Sequence, residues 1–420
     1  MTLIKTSILS AISTIIRVIN GFIIVKVMAI YVGPSGLALI GQFQNFISIL
    51  MSFATGAVNG GIVKYTAEYR DDELEKQKLW STAIRISLGA TFFTSLMLVI
   101  LHNYLSNIFF KTDEYGSIFI IFAIVLFLSV LNSLSLAILN GQKEIKKLIL
   151  INIISSFIGL LLTTILAYFY GLYGAILSYT IGQALVFFIT IFFIIRSKWF
   201  KIKFFIDKLD KEYLKKLSKY TAMALISTLT VPLTQMIVRN YIGESLSWEE
   251  AGYWEAIWKI STTYLMLITT TLTIYYLPRL SEIKEKYELR QEIWSGYKII
   301  MPVTITMAFS IYLLKDIIIL ILFTKDFMPM SDLFLYQLIG DVFKIGSWLL
   351  SFLMIAKAMT KLFILTEIAF SLSFITLSFL FINLYGLIGV TLAFAVNYFL
   401  YFWTILYIFT NYLKENNEKE

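Results

Sequence analysis

Eight ionisable side chains stand inside stretches of this sequence that are otherwise almost wholly apolar: Arg17, Lys26, Arg85, Glu255, Lys259, Asp341, Lys344 and Glu367. A charge held in hydrocarbon costs a few kcal/mol or more, so it normally faces a cavity or a partner. Such a set can bind an ion, carry a proton or compensate a charged cargo. Arg17 lies near the middle of the first apolar run and cannot easily reach either interface. Lys26 is nearer the outer end, on roughly the opposite face of a helix, and can snorkel outward. Glu255 and Lys259 have the i,i+4 spacing and Asp341 and Lys344 the i,i+3 spacing, so each pair shares one helix face. That spacing fits both a self-neutralised structural pair and a functional one. Arg85, about one turn inside its run, is placed to snorkel. Glu367, about two turns inside its own, fits either a proton-coupling carboxylate or a hydrogen bond within the bundle.

The bias of this set is cationic, which suits an anionic cargo. A phosphate or diphosphate is the expected partner, since Arg binds it through paired donors and Lys as a point charge. The candidate substrate-binding residues are therefore Arg17, Lys26, Arg85, Glu255, Lys259, Asp341 and Lys344, with Glu367 and Asp341 as candidates for ion coupling. Asn20, Gln42, Asn45, Asn59, Asn132, Gln183, Gln235 and Asn397 can hydrogen-bond sugar hydroxyls or, alternatively, neighbouring helices.

Membrane helices must position these groups. Of the 420 residues 58% are hydrophobic and only 15% charged, against about half and about a quarter in soluble proteins. Apolar runs fall at about 7–31, 37–63, 81–105, 117–140, 148–170, 173–195, 217–242, 251–277, 294–314, 333–356, 361–382 and 386–410, which predicts about twelve transmembrane helices. Lys and Arg alternate between connections: roughly 26 lie on one set, and only Lys111, Arg239, Lys315 and Lys325 on the other. By the positive-inside rule the rich set is cytoplasmic, and so are both termini. The longest polar connection, from Lys198 to Lys219, carries Phe205, Ile206, Leu209, Tyr213, Leu214 and Leu217 at helical spacing among lysines. This predicts an amphipathic helix on the inner membrane surface, tethering two halves.

Those halves are repeats. Ile12-Ser13-Thr14 recurs as Ile226-Ser227-Thr228, Lys143, Lys147 and Leu148 as Lys357, Lys361 and Leu362, and Tyr170-Gly171-Leu172-Tyr173-Gly174 as Tyr385-Gly386-Leu387-Ile388-Gly389, all at one offset of about 214–216 residues. An even number of helices per half makes the repeats parallel, an arrangement that suits alternating access between two lobes. The expected organisation is a six-helix lobe over 1–196, a linker over 197–216, a second six-helix lobe over 217–413 and a polar cytoplasmic tail over 414–420.

Other classes are disfavoured. The net charge of +8 is scattered over short connections rather than gathered on a soluble face, so nucleic acid is not an expected partner. With no cysteine there is no disulfide, thiolate metal site or thiol nucleophile. The lone His102 reads as interfacial, no cofactor is expected, and no outer connection is long enough for an enzyme's catalytic domain. The run after Lys5 is too long for the core of a secretory signal and long enough to span.

Several stretches together resemble the Wzx flippases, the lipid-linked oligosaccharide (O-antigen) exporters of the polysaccharide transporter family in the MOP superfamily. They are Lys5, Arg17 and Lys26; Gly33-Pro34-Ser35-Gly36-Leu37; Asn59-Gly60 through Lys64-Tyr65; Trp248-Glu249-Glu250-Ala251-Gly252; Leu277-Pro278-Arg279-Leu280-Ser281; Gln337 through Lys344; and Ala356-Lys357-Ala358. The likeness runs over nearly the whole chain and is nearest to the members serving enterobacterial common antigen. It implies an all-α membrane protein with two six-helix lobes in the V shape of the MOP and MATE fold. It also implies an undecaprenyl-diphosphate-linked oligosaccharide as cargo, carried across a bacterial inner membrane for O-antigen, lipopolysaccharide or related polysaccharide assembly, with the polymerase and chain-length proteins of that pathway as candidate partners. Arg17, Lys26, Asp341 and Lys344 fall inside matching stretches; Glu255, Lys259 and Glu367 rest on the physical reading alone. The competing expectation is an ion-coupled multidrug exporter on the same fold, which would prefer acidic residues in its cavity.

Overall fold

The computed structural model describes residues 3–357 and 359–414, and among these the chain is helical, with no strand. In order the helices are α1 (Leu3–Tyr31), α2 (Gly33–Ala54), α3 (Asn59–Glu68), α4 (Glu73–Phe110), α5 (Gly116–Gly141), α6 (Ile145–Ile195), α7 (Lys211–Ser245), α8 (Trp248–Thr271), α9 (Leu277–Glu282), α10 (Lys286–Leu313), α11 (Lys315–Leu322), α12 (Phe334–Ala356), α13 (Thr360–Tyr385) and α14 (Ile388–Lys414). Nine of the described helices are long and apolar enough to cross a membrane. Helix α6 counts once among them although Gly171 breaks it, with φ 54° and ψ −130°. Helices α7 and α8 are not among the nine; α8 carries too many polar and charged residues. Two crossings in α6 together with α7 and α8 account for the expected set of about twelve.

The helix ends follow local chemistry. Asp72 caps α4 by accepting from the backbone N–H groups of Leu74 (3.0 Å) and Glu75 (3.1 Å). Ser247 caps α8 through the N–H of Glu250 at 3.1 Å, with Glu249 and Glu250 in the first turn. The repeat is visible in the backbone. Gly171 and Gly386 both hold positive φ, and a Cβ at Gly174 or Gly389 would lie 1.9 or 2.1 Å from the carbonyl oxygen of Leu166 or Phe381. Two equivalent hairpins are thus closed by the same glycine pair.

Contacts divide the chain into two compact units, Met1–Val32 with Leu39–Leu233 and Gly33–Ala38 with Thr234–Glu420. The division falls inside α7, because the start of that helix packs on the first unit. The linker also differs from expectation. It is a short 3-10 turn (Ile202–Phe205) followed by bends, and helix begins only at Lys211. Its apolar residues divide: Phe204, Tyr213 and Leu217 are buried, whereas Ile206, Leu209 and Leu214 are exposed. Trp80 of α4 anchors it, with Trp199, Phe204 and Phe205 at ring-centroid distances of 5.5–5.6 Å.

Two further differences come from breaks. The expected run 37–63 is two helices separated at Thr55–Val58, and the segment before α12 holds the short α11 and a 3-10 stretch (Lys325–Leu333). Residues 415–420 of the expected tail lie outside the described residues.

Candidate functional site

The second unit contains a chain of buried polar and charged side chains carried by α7, α8, α12 and α13. Helix α8 presents Glu255, only 3% exposed, to two cations. Its Oε2 accepts from Arg239 of α7, and its Oε1 lies 3.0 Å from Lys259 Nζ one turn along α8. The Arg239 guanidinium also lies 5.5 Å from the Trp254 ring centroid. Further along α8, Ser261 donates to Asp341 Oδ1 at 2.6 Å and Tyr264 donates to Oδ2 at 2.8 Å. Gln337 Nε2 is 3.4 Å from the same carboxylate, which is fully buried. This donor set satisfies Asp341 without an ammonium in contact, as a carboxylate held in a dry site requires.

Lys344 is treated differently. Its Nζ sits among the rings of Trp258 (5.1 Å), Trp348 (5.3 Å), Tyr398 (5.7 Å) and Phe394 (5.8 Å). The negative faces of aromatic rings attract a cation, so this cage replaces part of the lost hydration. Glu367, half-buried on α13, lies within electrostatic reach of Lys344. No ion pair joins Asp341 to Lys344 among the described residues, so the i,i+3 spacing does not become a contact pair. The i,i+4 spacing of Glu255 and Lys259 does.

In the first unit Arg17 is exposed on α1, with its Nη2 3.5 Å from Thr14 Oγ1 and no carboxylate partner among the described residues. Lys26 is half-buried on the same helix. Arg85 turns to the linker, where its Nε donates to the Asp207 carbonyl at 2.6 Å. Asn20 and Asn132 serve helix packing, through Ser156 (2.9 Å) and Thr190 (2.7 Å) respectively. The linker contacts are themselves ionic: Glu73 pairs with Lys201, and Tyr213 donates to Glu75. Burial first, and then that bond, push the Tyr213 phenol above its ordinary value. The hydrogen bond to Glu212 raises the Lys216 ammonium, against the opposing effect of burial.

Sequence reasoning missed Arg239, which it placed among the outer-side cations. The structure buries it within α7 at 1% exposure. The signal available was Glu255 itself, an acid with one Lys on its own helix and room for a second partner. Counting Arg239 changes the charge argument. The second unit holds Arg239, Lys259 and Lys344 against Glu255, Asp341 and Glu367, a formal balance, so the cationic excess at membrane depth rests on Arg17 and Lys26 of α1.

Residues 43–332 match the model of a family described as polysaccharide biosynthesis protein. The lipid III flippase of Escherichia coli (strain K12) is 30% identical over 403 residues, covering 96% of this chain and 97% of that protein. Among solved structures, an inward-facing multidrug resistance MATE family transporter of the MOP superfamily superposes with a TM-score of 0.78 at 15% identity, covering 96% of both chains. The lipid II flippase MurJ in an inward closed conformation does so with a TM-score of 0.71 at 21% identity, covering 96% of this chain and 87% of that one. The fold is that of MOP superfamily transporters.

Proposed function

The chain belongs to the polysaccharide biosynthesis protein family, and from that membership we propose that it is a flippase for an undecaprenyl-diphosphate-linked oligosaccharide. It is a multi-pass membrane transporter, not an enzyme. In this reading the cargo headgroup passes from the cytoplasmic to the periplasmic leaflet of a bacterial inner membrane by alternating access, while the polyprenyl tail stays in lipid. Both termini and the linker face the cytoplasm, two six-helix lobes form the transporter, and the polymerase and chain-length proteins of the same pathway are partners. The glycan is an O-antigen or common-antigen repeat unit.

The observation that carries the proposal is the exposed Arg17 guanidinium on an apolar helix with no carboxylate partner among the described residues. A diphosphate leaving water needs its hydration replaced, and paired guanidinium donors do so. Lys26 adds a second positive charge. Asp341 and Glu367 are the carboxylates available to couple an ion. An inside-negative potential drives the anionic headgroup outward by about 2.3 kcal/mol per charge per 100 mV. A cationic drug, by contrast, meets no net negative charge in the second unit.

The test is Arg17→Ala and Arg17→Lys at matched expression, with the lipid-linked oligosaccharide assayed by leaflet in a strain lacking the chromosomal copy. A charge-assisted bond is worth about 1.5–3 kcal/mol, so Ala should lose roughly tenfold or more of the flipping rate and Lys should recover part of it. Full activity in Arg17→Ala would remove the proposal's support.

A further inference from the structure

An open pocket of about 430 Å³ is lined entirely by the first unit, between α2, α3, α5 and α6. Gln44 and Ser48 line it from α2, Asn59 from α3, Ser133 from α5, and Tyr179 and Gln183 from α6. Eight of its ten lining residues carry a hydroxyl or an amide, and none is an acid or a base. Its size falls within the ~300–1,000 Å³ of small-molecule sites, but its walls are more polar than those of a site for an apolar ligand.

The backbone is built around this space. Helix α2 stops at Ala54 and α3 starts at Asn59, with Gly56 at φ 65° and Ala57 at φ 50° between them. The left-handed region costs a non-glycine residue such as Ala57 about 1–2 kcal/mol. The carbonyls freed by the break are taken by α4, where Ser87 donates to Thr55 at 2.8 Å and Thr91 to Ala54 at 3.1 Å. Irregular backbone in a membrane bundle is tolerated where it is buried in protein or lines a cavity, and Thr55 and Asn59 at this break both line the pocket. At its edge Asn59 donates to Ser133 at 2.8 Å, while its Oδ1 is buried without a hydrogen-bond partner among the described residues.

We infer that this cavity is a subsite for a neutral sugar ring of the transported glycan, distinct from the α1 cations that meet the diphosphate. The inference rests on the flippase reading above. Hydroxyls and amides both donate and accept, as sugar hydroxyls do, so their match to a polyol is mutual. A phosphate or a uronic acid would find no counter-charge here, and leaving an anion so uncompensated is costly. The cavity lies toward the end of the unit where the linker docks, because α3 leads directly into the first turn of α4, which pairs with Lys201. A glycan arriving from that side meets it on entry.

The test uses the full-length protein in nanodiscs and two probes, undecaprenyl diphosphate and the same lipid carrying N-acetylglucosamine. The variants are Gln183→Leu and Ser48→Ala. Wild type should bind the sugar-bearing probe more tightly. Each variant should weaken that binding about fivefold, the worth of one hydrogen bond, and leave the sugar-free probe unchanged, which also reports intact folding. Equal binding of the two probes by wild type, equal losses for both probes, or no loss in either variant would show a structural water cavity only and overturn the subsite. Failure of wild type to bind either lipid would instead overturn the flippase reading on which the inference rests.

Discussion

Removing Glu255 should damage the protein more than removing the arginine it binds. Glu255 is the carboxylate shared by Arg239 and Lys259. Glu255→Gln therefore leaves the buried Arg239 and the half-buried Lys259 without the charge that offset them, and breaking a buried pair this way costs about 3–5 kcal/mol. Arg239→Met is milder. Met keeps much of the apolar stem, and Glu255 stays neutralised by Lys259 Nζ at 3.0 Å. What is lost is one charge-assisted hydrogen bond, about 1.5–3 kcal/mol, together with a cation–π contact at 5.5 Å. The expected difference between the two variants is thus about 2 kcal/mol. Thermal unfolding in detergent, followed by tryptophan fluorescence and by retention of monodisperse protein, reads the order directly. Transport at matched abundance should fall in the same order. Should Arg239→Met unfold at the same temperature as Glu255→Gln, or below it, Lys259 does not stand in for Arg239 and the three-membered charge account is wrong.

Other consequences are more local. Gly389→Ala should destabilise strongly, because its Cβ would sit 2.1 Å from the Phe381 carbonyl oxygen, whereas Gly159→Ala meets open space and should be neutral or stabilising by up to ~1 kcal/mol; apparent unfolding temperatures check both. Asp341→Asn keeps a carbonyl acceptor for one of the Ser261 and Tyr264 hydroxyls and turns an NH2 toward the other, whose oxygen can accept it, so it should lose less membrane abundance than Asp341→Leu, which strands both donors at about 1–3 kcal/mol each. Trp80→Ala removes the linker's aromatic anchor and a 2.9 Å bond to Thr66, a loss of about 3–5 kcal/mol, so limited trypsin digestion should cut at Lys201 and Lys203 much faster than in wild type.

The all-helical membrane architecture was legible because it rests on strong signals: long apolar runs, an alternating Lys and Arg count, and a repeated Tyr-Gly motif whose glycines turn out to share positive φ. The break after Ala54 was not, because Thr55-Gly56-Ala57-Val58 is apolar enough to pass for helix and its support comes from hydroxyls on α4 far along the chain. The linker misled for a related reason. A helical spacing of apolar residues predicts one continuous amphipathic helix, but Trp80 draws Phe204 and Phe205 into a tight turn that the spacing does not encode. For the candidate site, the i,i+4 pair followed from geometry within a helix. The Arg239 contact, the donors on Asp341 and the ring cage around Lys344 all join different helices, and no spacing in the sequence states which helix faces which.

The partition of charge bears on how such a transporter turns over. A site lined by several uncompensated cations would hold a diphosphate tightly and release it slowly, and conduction or transport needs binding that is favourable enough to enter yet weak enough to leave. In this chain Lys259 is paired, Lys344 is caged by four rings with Glu367 in electrostatic reach, and Arg239 is bound to Glu255. None of the three offers a phosphate the attraction of a bare cation. Under the proposed function the headgroup would meet chiefly Arg17 and Lys26, with a charge-assisted donor worth about 1.5–3 kcal/mol, which would keep its recognition weak. Selectivity must then come from elsewhere. In the proposed subsite, uncharged hydroxyls and amides would supply it in small, reversible increments, each about 1 kcal/mol, discriminating glycans without adding to the grip on a diphosphate.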